Sequence, residues 1–120
     1  MTDYSDIAKK ASMAAGQLLR DHYGGDQQVD TFEDHDIKLH LDVRCQELIA
    51  DIILESFPDH TILGEEGNAG GESGEFQWVV DPIDGTVNYF YGIPHFCVSI
   101  ALRRGSGEDW MLGMIYDPMM

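Results

Sequence analysis

The sequence predicts an α+β fold, with two helices packed on one face of a mainly antiparallel sheet. Three observations carry this. Apolar residues recur at helical steps over residues 5–22 and about 42–56. Beyond them the apolar runs are short and rich in β-branched and aromatic residues, which suit a pleated surface. Two of these runs flank Gly105-Ser106-Gly107, a hairpin signal. Helices followed by hairpin-linked strands form segregated layers around one core.

In chain order, Ile7, Ala11, Ala14, Ala15, Leu18 and His22 make the apolar stripe of the first helix, and Gly24-Gly25 stops it. Asp36-Ile37-Lys38-Leu39-His40-Leu41-Asp42 alternates polar and apolar residues and reads as an extended segment. It enters the second helix at Asp42, whose carboxylate suits an N-cap. Cys45, Leu48, Ile49 and Ile52 share one face of that helix. Phe57-Pro58 closes it, because the residue before a proline is pushed out of helical geometry. Thr61 to Leu63 is a short apolar strand. Residues 64–75, with five glycines among polar residues, predict a mobile loop. Trp78-Val79-Val80 predicts a buried strand, ended by Pro82, which has no N–H to donate. A short helical turn is expected over Val87 to Tyr91. Phe96 to Arg103 and Trp110 to Tyr116 are the hairpin strands. His95 reads as a strand-entry residue, since no second histidine lies at a ligand spacing.

The 120 residues suit one domain long enough to bury a core. With 7 Lys+Arg against 22 Asp+Glu the net charge is −15, which argues against a nucleic-acid partner. Part of the surplus is a run of Asp26, Asp30, Glu33, Asp34 and Asp36, read as solvated surface. An anionic substrate would be repelled by this field unless bound cations reverse it locally. Cys45 and Cys97 are too few for a disulfide framework or a zinc site, and both are expected as buried free thiols. No apolar run reaches membrane-spanning length, and Met1 to Lys10 lacks a signal-peptide core. A cytoplasmic protein with no membrane partner is expected.

The chemistry concentrates in Trp78 to Thr86, WVVDPIDGT. Asp81 leaves the carboxyl end of a strand and Asp84 follows one tight turn later, so their oxygens can share hard cations such as Mg²⁺. The N–H groups of Gly85 and Thr86 come next, where a helical turn would start and phosphate is attracted. Asp-Pro-x-Asp-Gly is also good turn chemistry in its own right. A second acidic element tips the balance: Gly64-Glu65-Glu66, where a short strand runs into two adjacent glutamates. The Asp-x-x-Asp spacing is one residue longer than the Asp-x-Asp of haloacid dehalogenase-type phosphatases and sets that class aside.

Gly64-Glu65-Glu66 followed by WVVDPIDGT resembles, in order and spacing, the first signature of the inositol monophosphatase family. The resemblance continues through Asn88, Pro94, Val98-Ser99-Ile100 and Tyr116-Asp117-Pro118. It implies that residues 1–120 are the N-terminal, metal-binding portion of a layered α/β/α/β/α sandwich whose C-terminal half is absent. It also implies a Mg²⁺-dependent, lithium-sensitive phosphomonoesterase with two or three ions. Glu65, Asp81, Asp84 and the carbonyl of Ile83 would be metal ligands, with Glu66 behind them. Glu65, Asp42 and Thr86 would position the attacking water, and Asp84, Gly85 and Thr86 would contact the substrate. The substrate would be inositol monophosphate or a related sugar or polyol phosphate. Histidinol phosphate, a nucleotide 3′-phosphate and fructose bisphosphate stay open, as does a non-catalytic cation-binding or assembly role. A homodimer is expected for the complete protein. Two departures stand out: Leu39-His40-Leu41 where the family has threonine shortly before the aspartate, and Lys38 where an apolar residue is common.

Overall fold

The computed structural model describes residues 3–25, 29–33, 36–72 and 74–120. Of the expected acidic run, Asp26 and Asp34 lie outside the described residues. Helix α1 (Tyr4–His22) opens where the Asp3 carboxylate accepts from the Ser5 N–H at 3.0 Å. Arg20 and His22 in its last turn suit the negative end of the helix dipole. Its buried face is Ile7, Ala8, Ala11, Ser12, Ala15, Gly16 and Leu19. Ala14 and Leu18 are only half-buried and His22 is exposed, so the stripe lies slightly round from the predicted one. The reason is that α1 packs against α2 and the sheet at once. A row of small residues lets it come close. A Cβ on Gly16 would stand 2.3 Å from a ring carbon of Tyr116.

Strands β1 (Val29–Glu33) and β2 (Asp36–Leu39) pair antiparallel as a separate two-stranded sheet. Helix α2 (His40–Ser56) follows directly. It starts two residues before the predicted entry, so Asp42 is not the N-cap. Leu39 holds that place, and Asp42 reaches back from the third helical position to accept the Leu39 N–H at 2.9 Å. Leu41, Asp42, Cys45, Gln46, Ile49, Ala50 and Ile53 are its buried residues. Leu48 and Ile52, expected inside, are half-buried. The Phe57 N–H closes the helix on the Ile53 carbonyl at 2.9 Å, just before Pro58.

The main sheet has β3 (Thr61–Gly64), β4 (Gly67–Gly70), β5 (Phe76–Asp84), β6 (Cys97–Arg104) and β7 (Asp109–Tyr116), in the order β4-β3-β5-β6-β7. All pairs are antiparallel except β3 with β5. Two expectations need correcting. The glycine-rich stretch is not wholly loop: Gly67–Gly70 folds back on β3, because a hairpin ladder needs backbone groups and not side chains. Nor does Pro82 end β5. The ladder with β6 breaks between Asp81 and Asp84 and then resumes, so the residue without an N–H falls in the irregularity. A short helix α3 (Thr86–Phe90) follows.

Both long helices cover one face of the sheet, burying Ile62, Trp78, Val80, Val98, Ile100 and Leu102. On the opposite face Arg103 lies over the Trp110 ring, and Ile115 is 75% exposed. No helix among the described residues is long and apolar enough to cross a membrane.

His60, which no sequence pattern singles out, is buried just where β3 begins. Phe57 and Phe76 stack on its two faces at 4.8 and 4.7 Å, and the Trp78 indole N–H donates to its Nδ1 at 3.0 Å. Burial lowers its pKa from 6.5, against the opposing pull of Asp59 and Glu75. Nδ1 must stay unprotonated to accept the indole hydrogen. The folded state therefore holds neutral His60 better than the unfolded chain does. Its contribution is complete above the unfolded pKa and is lost as pH falls through that value toward the lower folded one. We expect the melting-temperature advantage of wild type over His60→Gln to shrink by roughly a few degrees between pH 7 and pH 5. A gap that stays constant over that range would disprove this linkage.

Candidate metal centre

Parallel pairing builds the site. β3 and β5 run in step, Leu63 opposite Val79 and Gly64 opposite Val80. The next residues in step are Glu65 and Asp81, and both line one cleft of about 600 Å³ with Asn68, Arg103 and Trp110. Glu65 and Glu66 form the turn between β3 and β4, with Gly64 and Gly67 paired beneath them. Asp84, exposed at the far end of β5, does not line that cleft; it pairs in register with Cys97, whose Sγ lies 4.0 Å from its carboxylate.

Electrostatics shows how the carboxylates crowd. The Asp81 carboxyl is pushed up to about 6, first by burial and then by Glu65 and Asp84, with Glu66 adding a little. Asp42 is also raised to about 6, by burial first, with the Leu39 N–H opposing and the charges of Glu66 and Asp81 adding to it. Two acidic turns from separate parts of the chain thus meet at one place. Among the described residues no three His, Cys, Asp or Glu side chains are gathered closely enough to hold an ion as they stand. The carboxylates are neighbours and not a closed cage.

The second half of the motif turns around Gly85, which takes φ +98° at the start of α3. A Cβ there would stand 2.9 Å from the His95 carbonyl oxygen, so the left-handed conformation and the close approach both ask for glycine. Thr86 then begins α3, and its hydroxyl donates to the Ile83 carbonyl at 2.9 Å, with the Asp42 carboxylate 3.4 Å away. Asp42 and Thr86 thus come together although they lie 44 residues apart. The His95 backbone is engaged at both ends: its carbonyl accepts from Asn88 Nδ2 at 2.8 Å and its N–H donates to the Ile93 carbonyl at 2.8 Å.

The thiols divide. Cys45 is fully buried, and burial pushes it up to about 12. Cys97 is only half-buried, correcting the expectation of two buried thiols. Burial raises its pKa first, then Asp84, Asp81 and Asp117. Gln46 is the residue that the sequence reading missed. Its side chain reaches from α2 to the Glu65-Glu66 turn, accepting from the Glu66 N–H at 3.2 Å and donating to the Gly67 carbonyl at 2.8 Å. A polar residue on the apolar face of a helix, one turn after Asp42, was the available signal.

The donor set fits a hard cation. Glu65, Asp81, Asp84 and the Ile83 carbonyl offer only oxygen, and the charges that weigh most on Asp81 are other carboxylates.

The profile of the inositol monophosphatase family matches residues 1–120. The fructose-1,6-bisphosphatase/inositol-1-monophosphatase of Aquifex aeolicus is 38% identical over 117 residues, covering 96% of this chain and 44% of that protein. Nus factor SuhB of Pasteurella multocida is 39% identical over 123 residues, covering 99% and 45%. The solved structure of extragenic suppressor protein suhB from Bartonella henselae matches with a TM-score of 0.86 at 33% identity, over 96% of this chain and 45% of that one. The IMPase of Thermotoga maritima gives 0.81 at 35%, over 98% and 45%. This chain spans less than half the length of these relatives. With the profile matched from end to end and the fold shared with solved members, the chain belongs to the inositol monophosphatase family.

Proposed function

We propose that this chain is the metal-binding portion of a Mg²⁺-dependent phosphomonoesterase acting on inositol monophosphate or a related sugar or polyol phosphate. The observation that carries the reading is the placement of Glu65 and Asp81 at the ends of paired parallel strands, where both line one cleft. Like charges so placed favour a bound cation over mutual repulsion. The family is one of metal-dependent phosphatases.

In this reading Glu65, Asp81, Asp84 and the Ile83 carbonyl hold two or three Mg²⁺. The ions would supply an activated water and charge stabilisation at phosphorus. The chain's own groups do the rest. Thr86 is oriented by its hydrogen bond to Ile83, and with Asp42 and Glu65 it positions the attacking water. The Leu39 N–H fixes the Asp42 carboxylate. The amides of Gly85 and Thr86, at the start of α3, face phosphate oxygens, and Asp84 orients the substrate. No covalent phospho-enzyme is needed. We place the complete protein in the cytoplasm as a homodimer.

A second reading, a cation-binding or assembly role without turnover, goes with the relatives named Nus factor SuhB, a name that states no catalytic activity. Phosphate release by the full-length protein, measured with and without Mg²⁺, separates the two. The panel would hold inositol 1-phosphate, fructose 1,6-bisphosphate, histidinol phosphate and a nucleotide 3′-phosphate. Mg²⁺-dependent release from a polyol or sugar phosphate is expected. No release from any of them would overturn the enzymatic reading and leave the assembly role.

A further inference from the structure

We propose that Gln46 is a positioning residue that holds the Glu65-Glu66 turn against Asp81, so that α2 sets the spacing of the whole acidic site. The inference rests on the Mg²⁺ site proposed above and names a residue that acts through others.

On its β4 side the turn bearing Glu65 is held by a weak strand. β4 beyond it is Gly-Asn-Ala-Gly, fully exposed, and forms the outer edge of the sheet. Strands of glycine and small residues hold their register weakly. Gln46 supplies what the strand lacks. It is buried, 7% exposed, and one side chain satisfies both a donor and an acceptor of the turn, the Glu66 N–H and the Gly67 carbonyl. A side-chain amide offers a donor and an acceptor side by side in one planar group. Gly64 completes the fit, since a Cβ there would stand 2.1 Å from the Gln46 Oε1.

The same helix holds the other acidic arm. Asp42 lies one turn before Gln46, on the same face of α2, and meets Thr86, which is bonded to Ile83. Thus one turn of one helix references both the Glu65 arm and the Asp81-Asp84 arm. Outer partners of this kind govern how tightly a site binds its ion, because they decide whether the ligands wait in place.

The test uses the full-length protein and direct Mg²⁺ titration by calorimetry without substrate. It is paired with amide hydrogen exchange of Glu66 in metal-free protein. Gln46→Met keeps the length and volume but neither hydrogen bond. It is expected to weaken Mg²⁺ binding by about 10-fold or more and to speed exchange at Glu66, with other core amides still protected. Gly64→Ala, which displaces the amide from the opposite side, should do the same, and it serves if Gln46→Met fails to fold. Affinity within about twofold of wild type in a folded variant would overturn the role of Gln46. So would unchanged exchange at Glu66. A wild type that binds no Mg²⁺ would instead strike at the function proposed above, which keeps the two failures distinct.

Discussion

Asp84→Asn is expected to cut Mg²⁺-dependent phosphate release by about 100-fold or more, because at the proposed site a cation contributing several kcal/mol would lose one of its holding charges. The fold should be indifferent. Asp84 is exposed, and its close contact is a Cys97 Sγ at 4.0 Å, too long and too weak to matter. The same change removes a like charge from beside Asp81, so the Asp81 carboxyl should titrate lower than its present value of about 6. Steady-state kinetics at saturating Mg²⁺, with a melting curve as control, decides the matter. Near-normal turnover in the variant would remove Asp84 from the site.

The second large effect concerns stability. Trp78 is fully buried in the first half of β5, and its indole N–H is bonded to His60 at 3.0 Å. Trp78→Ala should cost about 3–5 kcal/mol for the aromatic volume lost, a large share of a domain's ordinary margin of about 5–15 kcal/mol. Trp78→Phe keeps a ring but strips His60 of its donor, and should cost about 1–3 kcal/mol. Urea denaturation of the full-length variants measures both. A Trp78→Ala loss under about 1 kcal/mol would contradict the packing described for this strand.

Much of the site was legible because its chemistry lies in short contiguous turns. Glu65 and Asp81-Pro82-Ile83-Asp84-Gly85-Thr86 declare their residue types at fixed spacing, and the helices declare themselves by periodicity. What escaped was set by partners far away in sequence. β4 carries no strand-forming side chains and exists because β3 offers it a ladder. Pro82 sits inside a strand because the pairing with β6 breaks around it. Nothing in the order of residues says that β3 and β5 run parallel, yet that pairing brings Glu65 beside Asp81. Gln46 is in sequence a polar interruption of a helix face, and only the folded chain shows which backbone groups it meets. Cys97 sits among apolar residues, but strand register turns it toward Asp84.

The parallel pairing of β3 and β5 has a practical side for anyone who would alter the protein. Register along two strands brings Glu65 level with Asp81, and the length of chain joining β4 to β5 does not enter it. Gly71 is still tied down, its N–H to the His60 carbonyl and its carbonyl to the Thr61 hydroxyl. Past that point extra residues would cost only loop entropy, about 0.6 kcal/mol for each doubling of length. A peptide tag or fluorescent reporter spliced in after Gly71 should therefore leave the acidic site intact. Removing a single residue from β3 would not be tolerated in the same way, because the side chains beyond the deletion would swap faces of the sheet.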